Sequence, residues 1–384
     1  MRKWKNKQVM VALCVVLMGT MLVGCENKVG QIGSDLLSNI TGKKDDNVLF
    51  EYDGQKVTMD EAWVYAKTIQ SQYEAWYGSS VWDYEVNDEN GQKVTMEEVT
   101  KKDLINQIKT VKYLSKAAKE QGITLTSDEE TEIQTNAKDF MSSIAEADLK
   151  QTGITEETMI KVYEENKLAS KYHDKIVEEA NLTVSDEEAR QFKTYNLLFE
   201  TFEYDENGQK VEYSAKKKAQ QKKKAEEALK RIQNGETNLA KLAKEYKADK
   251  SSEYTCGDDE STVKEYRDAA KVLKKGEISG IVESEFGYHI IKMINPNDKE
   301  ATEEKKSELL QEKQTEYFNE KYKEMTKSLE EAWNFDKDVN QKLFDTITFK
   351  QAAESTTATE ESASETVTES TVETTTEAST SVKK

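Results

Sequence analysis

Near neutral pH the side chain best suited to moving a proton is histidine, and this chain has two, His173 and His289. They are too few and too far apart in sequence for a zinc site, which needs three or four nitrogen or sulfur ligands, so no metal or other cofactor is expected. His289 stands in the run Phe286-Gly287-Tyr288-His289-Ile290-Ile291-Lys292-Met293, where strand alternation puts it on one face with Ile291 and Met293. A histidine so placed either works in a site or is a strand residue satisfied by its neighbours, and both readings stay open. Of the cysteines Cys14, Cys25 and Cys256, the last precedes Gly257 and the acidic run Asp258-Asp259-Glu260. Neighbouring carboxylates oppose thiolate formation, so a nucleophilic cysteine is not expected there. Neither a P-loop nor a dinucleotide fingerprint occurs.

Cys25 belongs to a different chemistry. Arg2, Lys3, Lys5 and Lys7 precede an apolar run from Val9 to Val23, too short to span a bilayer and suited to the core of a signal peptide. The run ends Leu22-Val23-Gly24-Cys25, which resembles the lipobox of bacterial lipoproteins. Residues 1–24 are therefore expected to be removed and Cys25 to be acylated, giving a protein held on the outer face of the cell membrane. Two acyl chains suffice for stable anchoring. An ordinary signal peptide with a chance cysteine and an uncleaved anchor are the competing readings. Once Cys14 is removed and Cys25 is lipidated, Cys256 has no partner for an intramolecular disulfide.

The formal net charge of -19, more negative still without the four N-terminal cations, excludes nucleic-acid binding as a main role. Residues 25–46, rich in Gly, Ser, Asn and Lys, read as a tether, and 350–384, almost wholly Thr, Ser, Glu and Ala, as a disordered tail. The single proline, Pro296, leaves room for long helices. A hairpin is expected around Asp53-Gly54, followed by a helix opened by Thr58-x-x-Glu61 with Ala62, Tyr65, Ile69, Tyr73 and Trp76 on one stripe. Thr95 with Glu98 and Ser127 with Glu130 should cap two more, and a fourth runs through Tyr163, Leu168, Tyr172 and Ile176. Far downstream, Phe318, Tyr322, Met325, Leu329 and Trp333 stripe a long helix. Between these blocks residues 191–298 change character. A strand at Tyr195–Phe199 leads to a hairpin at Asn207-Gly208, then to three helices and two strands in the order β-α-α-α-β-β. The basic run Lys216 to Lys224 reads as a solvated helix face, although an anionic polymer or lipid could meet it.

"LKKGEISGIVESEFGYHIIKM" resembles the C-terminal signature of the parvulin peptidyl-prolyl isomerases, and "LAKLAKEYKAD" resembles their second helix and the loop after it. A parvulin domain set into helices on a lipoprotein resembles the PrsA-type foldases, with SurA-like chaperone regions around the insertion. The resemblance implies an α+β chain: a helical chaperone region built from residues 47–190 and 299–349, with an inserted parvulin-like (FKBP-like) domain at 191–298. For the site it implies that His289 matches the second of two family histidines, that Asn196 takes the place of the first, and that Asp249 matches the Cys/Asp position facing the rotating amide. For the proline pocket it implies Tyr266 in place of phenylalanine, Thr262 in place of methionine, Asp259 in place of an apolar leucine, and Phe286.

Three function classes follow. A foldase would bind unfolded exported proteins and isomerise their prolyl bonds, a homodimer through the helical region being a further implication of the resemblance. A holdase chaperone would keep the parvulin domain in an inactive form. A solute-binding lipoprotein would need two α/β lobes, which the long helices do not suggest.

Overall fold

The computed structural model describes residues 46–88, 91–257 and 262–350. The segment 1–24, Cys25, the tether to residue 45, Asp259 and the tail from 351 lie outside the described residues. Strands β1 (Val48–Tyr52) and β2 (Gln55–Thr58) pair antiparallel across Asp53-Gly54, whose φ values of 50° and 72° are the two left-handed conformations a type I′ turn demands. Helix α1 (Met59–Tyr77) follows, its entry fixed by the Thr58 N–H donating to the Glu61 carboxylate at 3.2 Å. A short ladder of β3 (Glu85–Asn87) and β4 (Lys93–Thr95) leads to α2 (Met96–Glu120), capped reciprocally by Thr95 and Glu98. Helices α3 (Ser127–Ser143), α4 (Glu146–Thr152) and α5 (Glu156–Glu179) complete this block. The cap of α3 is one residue earlier than the Ser127–Glu130 pattern predicts: Thr126 and Glu129 form the box. Both spacings satisfy the pattern, and Lys171 of α5 decides between them by holding the Glu129 carboxylate at 2.7 Å.

The chain then builds a second unit. Strands β5 (Gln191–Glu200), β6 (Phe202–Tyr204) and β7 (Lys210–Glu212) precede helices α6 (Ala215–Gln233) and α7 (Leu239–Tyr246). Strand β8 (Ser252–Gly257), helix α8 (Lys264–Lys271) and strands β9 (Ile278–Ser284) and β10 (Gly287–Asn295) follow. Four strands pair antiparallel in the order β8-β5-β10-β9. Strand β8 was not foreseen, because Ser252 to Thr255 are exposed on this edge strand and carry no apolar alternation. Period-two alternation along β5 and β10 sends Leu197, Phe199, Tyr288 and Ile290 to the face covered by α6 and α7. Phe192, Ile291 and Met293 go to the other face, packed with Tyr266 and Ala270 of α8.

Helix α9 (Lys299–Ala332) carries the chain back to the first block. Trp333 packs edge-on against Phe50 and Tyr52 at 5.6 and 5.5 Å, and Lys109 lies over its ring while pairing with Glu330 at 2.8 Å. Phe349 stacks on Trp82 at 4.5 Å. The helical core thus draws on residues from both sides of the insertion, from Leu49 to Val177 and from Phe318 to Phe349. The fold is α+β, a helical region made of the N- and C-terminal segments with a domain built on a four-stranded sheet between them.

A buried cluster of ion pairs lies inside that helical core. The Lys112 ammonium is buried between Glu61 at 3.1 Å and Glu165 at 2.6 Å, and Glu61 is also bound by Lys161. Removing one partner of a buried pair leaves an uncompensated charge. Lys112→Met should therefore cost about 3–5 kcal/mol. Among the described residues every tryptophan (Trp63, Trp76, Trp82, Trp333) is in the helical block, so urea unfolding followed by tryptophan fluorescence reads it directly. A loss under about 1 kcal/mol would contradict this placement of the ion pair.

Candidate active site

The register of β5 against β10 sets Ile291 opposite Asn196 and His289 opposite Leu198, so the side chains of Asn196, Leu198 and His289 share the α8 face. There His289 is only 3 % exposed. Its Nδ1 lies 3.0 Å from the Asn196 amide oxygen and its Nε2 2.7 Å from the Ser284 hydroxyl. An amide oxygen only accepts, so the network assigns the proton to Nδ1 and leaves Nε2 to accept from Ser284. Ser284 can donate in that direction because its oxygen already accepts from the Phe286 N–H at 3.0 Å. Burial pushes the imidazole pKa down to about 4, only partly opposed by the negative charge of Glu265. His289 is neutral at pH 7, with both nitrogens engaged.

Tyr266, in the first turn of α8, meets His289 edge to face with ring centroids 5.3 Å apart. Its hydroxyl is 2.8 Å from Thr194 Oγ1, which itself donates to the Tyr254 carbonyl at 3.0 Å. The phenol must therefore donate to Thr194, and burial raises its pKa. The Tyr254 hydroxyl sits 3.1 Å from Thr262 Oγ1. Over these groups opens a cleft of about 450 Å³. Its apolar wall is Leu198, Val263, Phe286 and the Tyr266 ring, its polar wall Asn196, Tyr254, Thr262 and His289, and among the described lining residues Glu285 is the acidic one.

Five of the residues singled out in the sequence are thus brought together: His289, Asn196, Tyr266, Thr262 and Phe286. Asp249 is not among the lining residues. Ala248 before it is anchored in the core on the opposite face of the sheet, which leaves Asp249 exposed beside Lys250 and Glu200. Asp259 lies outside the described residues. His173 is in the helical block, 3.0 Å from Asp174 and against the Phe318 ring, and takes no part. Among the described residues no group of three or more His, Cys, Asp or Glu could hold a metal ion. Ser284, Thr194, Tyr254, Leu198, Val263 and Glu285 were not foreseen. Ser284 and Glu285 could have been found from the turn that must join β9 to β10, because a tight hairpin returns its flanking residues to one another.

Linkage makes His289 a pH-dependent element. Its folded pKa is depressed from the ordinary 6.5, so between pH 6.5 and 4 the unfolded chain takes up a proton that the folded chain refuses. Stability should fall as pH drops through this window, by up to about 3 kcal/mol below pH 4. His289→Gln should remove that one-proton slope, read as the pH dependence of β10 amide hydrogen exchange. An unchanged slope would place the proton elsewhere.

With the geometry in place, the chain can be set beside known proteins. A rotamase model, described as a PPIC-type PPIase domain, matches residues 202–295, a stretch that holds the cleft residues of α8, β8 and β10 but not Asn196 of β5. The foldase protein PrsA of Caldanaerobacter subterraneus is 26% identical over 335 residues, covering 84% of this chain and 95% of that one. PrsA of a Geobacillus species is 40% identical over 92 residues, 23% of this chain and 33% of its own. A crystal structure of the peptidylprolyl isomerase PrsA from Bacillus cereus is 22% identical, covers 69% of this chain and 99% of that one, and superposes loosely, with a TM-score of 0.32. Residues 202–295 thus match a PPIC-type peptidyl-prolyl isomerase domain, and the chain is similar over most of its length to PrsA foldase proteins.

Proposed function

We propose that the protein is a membrane-anchored foldase that binds unfolded exported chains and isomerises their prolyl bonds in the cleft over His289. The observation that carries this reading is the cleft's division into an apolar wall and a wall of neutral hydrogen-bonding groups. Rotating a prolyl amide means crossing a barrier of about 18–20 kcal/mol set by amide resonance. Leu198, Val263, Phe286 and the Tyr266 ring offer the surface a pyrrolidine ring needs. In the twisted state the amide nitrogen regains a lone pair and the carbonyl loses conjugation, so dry surroundings and well-placed hydroxyls favour twisted over planar. The hydroxyls of Tyr254 and Thr262 are placed to supply such contacts. His289 has no spare proton for the substrate; it holds Asn196 and Ser284 in position.

Anchoring rests on Cys25 and the apolar run before it. Clients are exported proteins whose slow prolyl isomerisation limits folding. A holdase with an inactive parvulin domain is the second reading. It is favoured by two observations: Asn196 stands where the family has histidine, and Asp249 is not among the cleft's lining residues.

Exchange spectroscopy on alanyl-prolyl peptides with the full chain should show acceleration that is flat in rate from about pH 5.5 to 8, because burial keeps His289 neutral throughout that range. Tyr266→Ala should reduce it about tenfold or more. A folded protein that accelerates no peptide but still suppresses client aggregation would establish the holdase instead. In cells, Cys25→Ser should move the protein from the membrane fraction to the soluble one and abolish fatty-acid labelling. Retention in the membrane with no label would refute the lipid anchor.

A further inference from the structure

The cleft carries an unbalanced charge. Among its described lining residues Glu285 alone carries an acidic side chain, His289 is held neutral, and neither lysine nor arginine contributes. Glu285 is exposed, on the turn between β9 and β10, next to Phe286 of the apolar wall. Among the described residues the cation that pairs with it is Lys210, 3.7 Å from the carboxylate and donating to the Glu285 carbonyl at 3.1 Å. Lys210 is divided: it also pairs with Glu212 at 3.4 Å, and its ammonium lies over the rings of Phe202 and Phe286. On the other side of the cleft Glu265, one residue before Tyr266, adds a negative field that reaches His289.

We infer that this cleft selects prolyl segments with a lysine or arginine beside the proline and discriminates against those with an acidic residue there, Glu285 being the residue that sets the preference. The inference rests on the reading of the cleft as a prolyl site and names its substrate class. A cation flanking the bound ring exchanges with Lys210 for the Glu285 carboxylate, while a carboxylate in the same place meets like charge with no cation among the described lining residues to offset it. Because Glu285 is open to solvent, the effect is a modest ratio, sensitive to salt.

The experiment compares otherwise identical peptides carrying Arg, Ala or Glu on either side of proline, using the full chain at low ionic strength. Affinity is read from chemical-shift changes of the Leu198 and Val263 methyl groups, and turnover from exchange spectroscopy. The expected result is an Arg-over-Glu preference of about tenfold on at least one flank, reduced to about twofold or less in Glu285→Gln and in about 0.5 M salt. Lys210→Gln, which frees the carboxylate, should enlarge the preference. Equal affinity for the Arg and Glu peptides, or a preference that survives Glu285→Gln, would overturn the inference while leaving a prolyl site intact. No methyl shift with any peptide would overturn the site and the inference together. A preserved affinity ratio without turnover would support the specificity and remove only catalysis.

Discussion

Everything around the cleft depends on one constraint: an imidazole buried to 3 % exposure has to satisfy both its nitrogens from the protein. Asn196 on one neighbouring strand and Ser284 on the other do this, so the hydrogen bonds run across β5, β10 and β9 and tie three strands side chain to side chain. Tyr266 closes the top of the ring and is itself fixed through Thr194 to the backbone of β8. All four strands of the sheet are thereby linked through one face. A floor so constrained can stay dry and uncharged, which is what a site that lowers a rotational barrier needs.

The helical region poses the opposite problem. Its core is assembled from segments on either side of the insertion, so residues 49–177 cannot bury their apolar surface until the chain returns at Phe318. The closure is concentrated around Trp333, Lys109, Glu330 and Tyr52, where a ring, a cation and a shared carboxylate meet. Helix α9 spans both worlds: Thr302 near its start accepts from the Gln191 backbone N–H at the head of β5, and Lys306 and Lys313 pair with Asp186 and Glu188 just before it. The inserted domain is therefore held at both of its chain connections by one helix.

Much of this was legible in the sequence. Asp53-Gly54 announced its hairpin because both residues take the left-handed turn conformation, at Asn207-Gly208 the glycine alone does so, and the reciprocal Ser/Thr–Glu pairs announced helix starts. The family signature around His289 led to the sheet and to five residues of the cleft. What stayed hidden was set by tertiary context. Edge strand β8 has no apolar rhythm to read, and with it went Tyr254. Thr126 and Ser127 compete for one cap, and a lysine from another helix decides. Asp249 aligns with a family position by spacing alone, yet spacing does not record that Ala248 is drawn into the core of the opposite face.

The central claim is that the ring of a bound proline lies on the apolar wall above His289. The most direct test is a search for intermolecular NOEs from the pyrrolidine protons of a bound prolyl peptide to the full chain with its methyl groups labelled. The account predicts contacts to Leu198 and Val263 and to the rings of Tyr266 and Phe286. Contacts confined to the helical region, for instance to the exposed rings of Trp76 and Tyr77, would contradict it and move client recognition out of the cleft.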